Sequence, residues 1–403
     1  MILQAAWVLP IAGPPIPNGM IDVCGDRIVS VTPSPQPPPG DVPIQNLGDA
    51  IITPGLVNPH THLELTGYAG RLPPAPLWDW FVQLMKLRDA PGQVERERQG
   101  VQEGAWQSLR AGVTCVGDIS RLGLNWRVLK PIPIRKVCFI ELLTLAADPP
   151  RTVDELRAAV MDVEEDQLLT AGISPHAPYT VPQDQIRAAI QLAHNLHRPW
   201  CTHWAETTEE RAFLQGDEQS VPDWLSRLAE KAGVQSPRQT AVDSLTACSA
   251  ALRPGAIAHY NYAAPGDAER LAAAGHVVMY CCRAHQFFGH PQHPYRELLQ
   301  AGVPVAVGTD SAASNESLAI LDELRFLRRR PNDCPPPASL LEMATINGAR
   351  ALGLQDTIGT LTPGKQADLA AFPCPPHTDD PSAFLVTHAP APTHVWVAGE
   401  NVF

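Results

Sequence analysis

The stretch PGLVNPHTHLEL, residues 54–65, decides how the rest of the chain is read. An apolar run ends in two histidines one residue apart, followed by a glutamate. In an extended chain alternate side chains share a face, so His60 and His62 point the same way, roughly 6 to 7 Å apart. Two imidazoles aimed at one spot suggest a metal. An HxH pair alone could equally sit in an ordinary polar loop, so the reading rests on what other segments bring to the same place.

The chain has 403 residues, enough for a barrel of about 250 residues plus a smaller unit. Hydrophobic residues make up 44% and charged residues 18%, as in a packed protein with a sizeable core. A net charge of −12 without a basic run argues against nucleic acid or an anionic membrane as partner and leaves a small molecule. The nine cysteines are odd in number, scattered and never spaced CxxC, so no disulfide framework or thiolate zinc site is indicated and a reducing cytoplasm fits. MILQAAWVLPI at the start lacks a basic region and a cleavage site and reads as a strand; no apolar run reaches the length of a membrane span. The 42 prolines cluster at 33–43 and 331–337, where stiff surface loops are expected.

Residues 1–53 read as short strands and turns, with Gly25-Asp26 at a hairpin-like turn. From residue 54 the rhythm becomes strand, polar strand end, helix. Strands are expected at 50–60, 112–118, 136–143, 172–179, 199–206, 255–262, 276–282 and 303–310. Between them lie amphipathic stretches such as VDELRAAVMDVEEDQLL and PQDQIRAAIQLAHNLH, with apolar residues at i, i+3, i+4. Eight strands alternating with helices predict an α/β fold, a (β/α)8 TIM barrel over 54–356. After the helical run PASLLEMATINGARALGL, GTLTPGKQADLAAF and THVWVAGENVF read as strands again. Residues 1–53 and 357–403 are therefore expected to meet in a composite β-sandwich built from both termini.

Chemistry in such a barrel belongs at the C-terminal strand ends, where the loops form the mouth. His60 and His62 end or follow strand one, His176 lies in strand four, His203 and Glu206 end strand five, His259 ends strand six and Asp310 ends strand eight. So many metal-binding and proton-handling groups on five strands displace the polar-loop reading. Three imidazoles and one carboxylate, His60, His62, His203 and Asp310, suit one divalent ion, zinc or as the alternative iron, rather than magnesium or calcium. Such an ion with an open position activates water at neutral pH. Glu206 is expected to shuttle protons and His259 to hold the attacking group by a hydrogen bond or charge. None of the five lysines ends a proposed strand, so a carbamylated bridge to a second metal is not expected. GTLTPGKQ, residues 359–366, resembles a P-loop but has Gln366 at the Ser/Thr position and leads into a strand, so it reads as a turn. Trp78, Trp80 and Phe81 in LWDWFVQLM either cap a pocket or form an apolar helix face packed on the barrel.

PGLVNPHTH, SPHAPYTV, CTHWAE, AHYN, VGTDSAASNESLAILDELR and GTLTPGKQADLAAF, taken in order, resemble the mononuclear deaminase and chlorohydrolase branch of the amidohydrolase superfamily over essentially the whole chain. The resemblance implies His60, His62, His203 and Asp310 on the metal, Glu206, His259 and Asp310 in catalysis, and a β-sandwich from the termini. HTHLEL, HAPYTV, THWAETTEE and SNESLAILDELR are most similar to aminodeoxyfutalosine deaminases, then to adenosine and S-adenosylhomocysteine deaminases. By that likeness Glu64 and His176 contact the ribose-like part of the substrate and Arg283 lines the pocket. The pattern departs after strand seven, where Cys281-Cys282-Arg283-Ala284-His285 replaces the Cys-Pro-x-Ser-Asn of many relatives, and at Pro59, where a small residue is common. The expected activity is hydrolytic deamination of an aminopurine nucleoside-like substrate through a metal-activated water. Alternatives are a triazine chlorohydrolase, a deaminase of free guanine or cytosine, and, from another class, a non-catalytic barrel scaffold. A homo-oligomer is compatible with the sequence.

Overall fold

The computed structural model describes residues 1–33, 43–145, 152–330 and 334–403. Most of the proline cluster at 33–43, and the start of the one at 331–337, lie outside the described residues. Five strands come first: β1 Ile2–Val8, β2 Ile16–Cys24, β3 Arg27–Pro33, β4 Ile44–Asn46 and β5 Ala50–Pro54. Eight more follow, each separated from the next by helical segments: β6 Leu56–Thr61, β7 Val113–Ser120, β8 Arg135–Leu142, β9 Leu169–Pro175, β10 Cys201–Trp204, β11 Ala256–His259, β12 Val277–Tyr280 and β13 Val305–Val307. The chain ends in β14 Leu369–Pro373, β15 His394–Val397 and β16 Glu400–Asn401.

Strands β6–β9 form one four-stranded parallel sheet and β10–β13 a second. The two approach each other at both edges. Ile173 bridges Trp200 between β9 and β10, and the His203 N–H donates to the His176 carbonyl at 2.9 Å. At the other edge the Asp310 N–H donates to the His60 carbonyl at 3.1 Å, and Asn58 exchanges hydrogen bonds with Thr309 at 2.7 and 3.2 Å. Every residue of β6, β7 and β8 is buried, as expected for parallel strands covered on both faces.

All eight expected strand regions contain a strand, with one correction at the first. The stretch 50–60 is two strands: β5 joins the terminal sheet and β6 the parallel one. Gly55 stands at the crossing, where a Cβ would lie 2.0 Å from Thr114 Oγ1, so only glycine lets the chain pass between the two sheets. The two ends of the chain also meet, in an eight-stranded sheet ordered β16-β15-β14-β5-β1-β2-β3 with β4 on β1. The β2–β3 hairpin turns at Gly25-Asp26, and its β3 side returns to the segment before β14 through Ile28 N–H to Lys365 O at 2.9 Å. The glycine-rich turn at 359–366 leads into β14 and not into a helix.

The amphipathic stretches are helices Val153–Met161 and Gln183–Asn195. The first is shorter than its pattern; it opens on a reciprocal Thr152–Glu155 capping box and stops before the acidic run. The run 337–354 breaks into Pro337–Met343 and Ile346–Ala351. Arg135 at the start of β8 ties the parallel sheet to the terminal one, its Nε and Nη2 donating to the two carboxylate oxygens of Asp368 at 2.7 and 3.0 Å. Among the described residues no helix is long and apolar enough to cross a membrane.

Candidate metal and substrate site

The strand-end residues converge. The His60 ring centroid lies 5.1 Å from that of His62, 5.0 Å from His203 and 5.4 Å from His259. One ligand nitrogen from each of His60, His62 and His203 falls within 4.8 Å of the others. Asp310 completes the group, its Oδ1 3.7 Å from His62 Nε2. Gly308 permits this approach, since a Cβ there would already touch the His60 Cβ at 3.1 Å.

The backbone is bent to aim these groups. Ala205, His259 and Asp310 have φ of 52°, 69° and 58°, a left-handed conformation that costs a non-glycine residue about 1–2 kcal/mol. Such positions persist where surrounding bonds over-determine them. Here the His293 ring donates to the His259 carbonyl at 2.7 Å, and the Thr61 hydroxyl donates to the Asp310 carbonyl at 3.1 Å. The turn after His62 is held by Asp118, whose carboxylate accepts the Leu63 N–H at 2.9 Å and the Asn125 amide at 2.8 Å.

Burial pushes the imidazoles of His60, His62, His176 and His259 well below their ordinary value, with neighbouring histidines adding to the effect. His203 is pushed down by burial to about 4. Neutral rings offer lone pairs. His203 Nδ1–H donates to the His176 carbonyl at 3.1 Å, which leaves Nε2 as the bare nitrogen. Both ring nitrogens of His60 are buried without a hydrogen-bond partner. A buried imidazole with no protein partner on either side is costly unless an ion takes one lone pair. The donor set therefore fits a divalent metal ion.

Glu206 and His259 stand beside this group, Oε1 to Nε2 at 3.5 Å. Burial, then the nearby Asp310 and Glu210, raises the Glu206 carboxyl well above its usual range. Burial brings Asp310 up to about 7, and a bound cation would draw it back down. The three glutamates of ETTEER separate clearly. Glu210 accepts the backbone N–H groups of Ala205 and Glu206 at 2.7 and 2.8 Å and so shapes the loop, Glu209 bonds the Thr208 hydroxyl at the surface, and Glu206 enters the cavity.

The cavity holds about 330 Å³, within the usual range for small-molecule sites. Glu64 and His176 line it. Glu64 follows His62 in the 3₁₀ turn Leu63–Tyr68, and its carboxylate is paired with Arg88, which also reaches Glu97 Oε1 at 2.8 Å. Arg88 ends the helix α1, Leu77–Arg88. Trp78, Trp80 and Phe81 of α1 line the same cavity, as the pocket-capping alternative expects, and Trp80 packs edge-on to Phe288, another wall residue, at 5.3 Å.

Arg283 requires correction. The segment after β12 is the helix Cys282–Phe287, and Arg283 turns away from the cavity, donating to Ser317 Oγ at 3.1 Å and Glu316 at 2.9 Å while its N–H bonds Glu323 at 3.0 Å. The acidic residues after β13 hold it. The unusual segment serves instead through His285, whose Nδ1 lies 3.0 Å from Asn261 Oδ1, while the Asn261 amide donates to the Glu206 carbonyl at 3.0 Å. Sequence reasoning missed Arg88, Arg121 and Glu141, all of which line the cavity. Glu141 carried a usable signal, as a lone acid in the apolar run KVCFIELL close to a strand end.

The amidohydrolase family model matches residues 51–402. Among curated proteins, a 5-methylthioadenosine/S-adenosylhomocysteine deaminase of Teredinibacter turnerae is 29% identical over 99% of this chain and 91% of its own. Among solved structures, an adenosine deaminase from Xanthomonas campestris with bound zinc is similar with a TM-score of 0.82 at 26% identity, covering 99% of this chain and 92% of that one. The aminofutalosine deaminase of Helicobacter pylori shares the fold, with a TM-score of 0.85 at 23% identity over the whole of both chains.

Proposed function

This chain belongs to the amidohydrolase family, and from that premise we propose that it removes ammonia hydrolytically from an adenine-bearing nucleoside. The observation that carries the reading is the convergence of His60, His62, His203 and Asp310 on one spot beside Glu206 and His259. The names of the relatives, which include a deaminase of 5-methylthioadenosine and S-adenosylhomocysteine and an adenosine deaminase, support the substrate class.

In this reading His60, His62, His203 and Asp310 would hold one ion, zinc in preference to iron because the set is rich in imidazole nitrogen. When bound, the ion supplies the Lewis acidity that makes water nucleophilic at neutral pH. Glu206 does the proton work. Its raised carboxyl range leaves it able to carry a proton, which it delivers to the ring nitrogen next to the reacting carbon. As water adds at that carbon it gives a proton back to Glu206, the carbon becomes tetrahedral, and Glu206 passes that proton to the amino group; the carbon–nitrogen bond breaks, ammonia leaves, and the remaining hydroxyl proton returns to Glu206 as the carbonyl forms. His259, 3.5 Å from Glu206, orients the attacking oxygen and steadies the charge on the glutamate. Glu64 and His176 face the sugar, and the aromatic wall of Trp78, Phe81 and Trp224 excludes water and covers the remainder of the substrate.

The same reading takes the two parallel sheets as one closed (β/α)8 barrel over 54–356. It takes residues 1–53 and 357–403 as a composite β-sandwich, and a cytoplasmic setting for nucleoside turnover. Hydrogen bonds across both sheet edges support the closure. Ammonia release from adenosine, 5′-deoxyadenosine, methylthioadenosine and S-adenosylhomocysteine, with zinc loaded, is the test. Turnover of at least one is expected, and silence across the panel would reject the substrate class.

A further inference from the structure

Glu141 lies next to last in β8, with its side chain lining the cavity and the residue only 3% exposed. Its Oε1 is buried and has no hydrogen-bond partner. Arg121, just beyond the end of β7, lines the same cavity, and its Nε is likewise buried and unpartnered. Among the described residues no ion pair joins them. Leaving a buried donor and a buried acceptor unmade costs about 1–3 kcal/mol each, and more when the groups are charged. A polar group bound in a cavity with mostly apolar walls would relieve both costs.

The chemistry of that ligand follows from the two atoms. Glu141 Oε1 needs a donor and Arg121 Nε–H needs an acceptor; a hydroxyl is both. A third group narrows the choice. The Thr180 hydroxyl donates to the Ala177 carbonyl at 3.0 Å, so its oxygen accepts the Nδ1–H of His176 at 2.7 Å and His176 Nε2 keeps a free lone pair. A ligand atom of His176 and a carboxylate oxygen of Glu141 lie within 4.8 Å of each other. Two acceptors side by side call for two donors side by side. Glu64 does not answer the same need, because Arg88 already engages its carboxylate.

We propose that Glu141, flanked by Arg121 and His176, is the specificity-determining residue for a vicinal diol, accepting hydrogen bonds from the adjacent 2′- and 3′-hydroxyls of the substrate's sugar. This rests on the nucleoside reading above and adds to it a requirement for an intact ribose. Burial, then the charge of Glu64, raises the Glu141 carboxyl to about 8, and two donated hydroxyls together with Arg121 would favour its charged form when substrate binds.

The experiment compares adenosine with its 2′-deoxy and 3′-deoxy analogues on zinc-loaded wild type, Glu141→Gln and Glu141→Ala. It measures kcat/KM, product binding by tryptophan fluorescence, metal content and melting temperature. Wild type should prefer the ribonucleoside by about 10- to 100-fold in both kcat/KM and product affinity. Glu141→Gln should lose a similar factor on the ribonucleoside and little on the deoxy analogues, with metal content and melting temperature retained; Glu141→Ala should repeat the pattern. Equal discrimination by wild type and variants would overturn the assignment while leaving the deaminase reading intact. A lost equivalent of metal in Glu141→Gln would make it a ligand and also overturn the assignment. Wild type inactive on every nucleoside would sink both.

Discussion

The Asp310 N–H donates to the His60 carbonyl across 3.1 Å, although 250 positions of sequence separate the two residues. This bond ties the loop after the last parallel strand to the first, so the carboxylate and the imidazole proposed to share an ion are joined by a backbone contact.

Glu206→Gln keeps the shape of the side chain and removes the proton it carries. It should retain full metal content and lose turnover by about 10²- to 10⁴-fold, the usual worth of a general acid–base group. Metal analysis alongside steady-state kinetics checks this. Activity near wild type would remove Glu206 from the chemistry.

Stripping the ion with a chelator should abolish turnover and lower the melting temperature, because a ligand bound only by the folded chain stabilises it by mass action. Adding zinc should restore both. His60→Ala should lose the response to zinc, since both its ring nitrogens lack any protein partner.

Arg88 holds two buried carboxylates, Glu64 and Glu97. Arg88→Met should destabilise by about 3–5 kcal/mol, the usual result of removing one partner from a buried pair. It should also raise KM more than it lowers kcat, since Glu64 lines the cavity and is proposed to face the sugar rather than the reacting carbon. Urea unfolding and kinetics on one preparation separate the two effects.

Arg135→Ala should cost a similar amount, about 3–5 kcal/mol, by leaving Asp368 buried and unpaired between the two sheets. It lies at the strand end opposite the site, so kcat at a temperature where the protein is folded should hardly change. Pairing it with Asp368→Leu should recover part of the loss.

His276 stands just before the first residue of β12, at the strand end away from the candidate site. The Gly255 N–H donates to its Nδ1 at 3.1 Å and its Nε2–H donates to Ser249 Oγ at 3.2 Å, so it is neutral; burial pushes it down to about 4 from the ordinary 6.5. A folded value below the unfolded one means that the stabilisation is whole above about 6.5 and is lost as pH falls toward about 4. The loss should be on the order of 3 kcal/mol. His276→Gln should unfold with a flatter pH dependence over that window; an unchanged slope would clear His276 of the effect.

Much of this molecule could be read before folding. Alternation placed His60 and His62 on one face, and the strand-ending pattern put His203, His259 and Asp310 at the same cavity, because strand faces and strand ends are local properties carried by neighbouring residues. The meeting of the two termini was legible for the same reason, through their β-rich runs. Other features depended on partners distant along the chain. Which acid of ETTEER enters the cavity was decided by Glu210 capturing the amides of its own loop. Arg283 was drawn outward by acids after β13, and Arg88, Arg121 and Glu141 were assembled from segments tens of residues apart. The break at Gly55 likewise depended on how closely Thr114 approaches. Local periodicity specifies which way a side chain points along its own element; whether it finds a charge, an orphaned acceptor or a steric wall there is set by packing between elements, and no stretch of neighbouring residues contains that information.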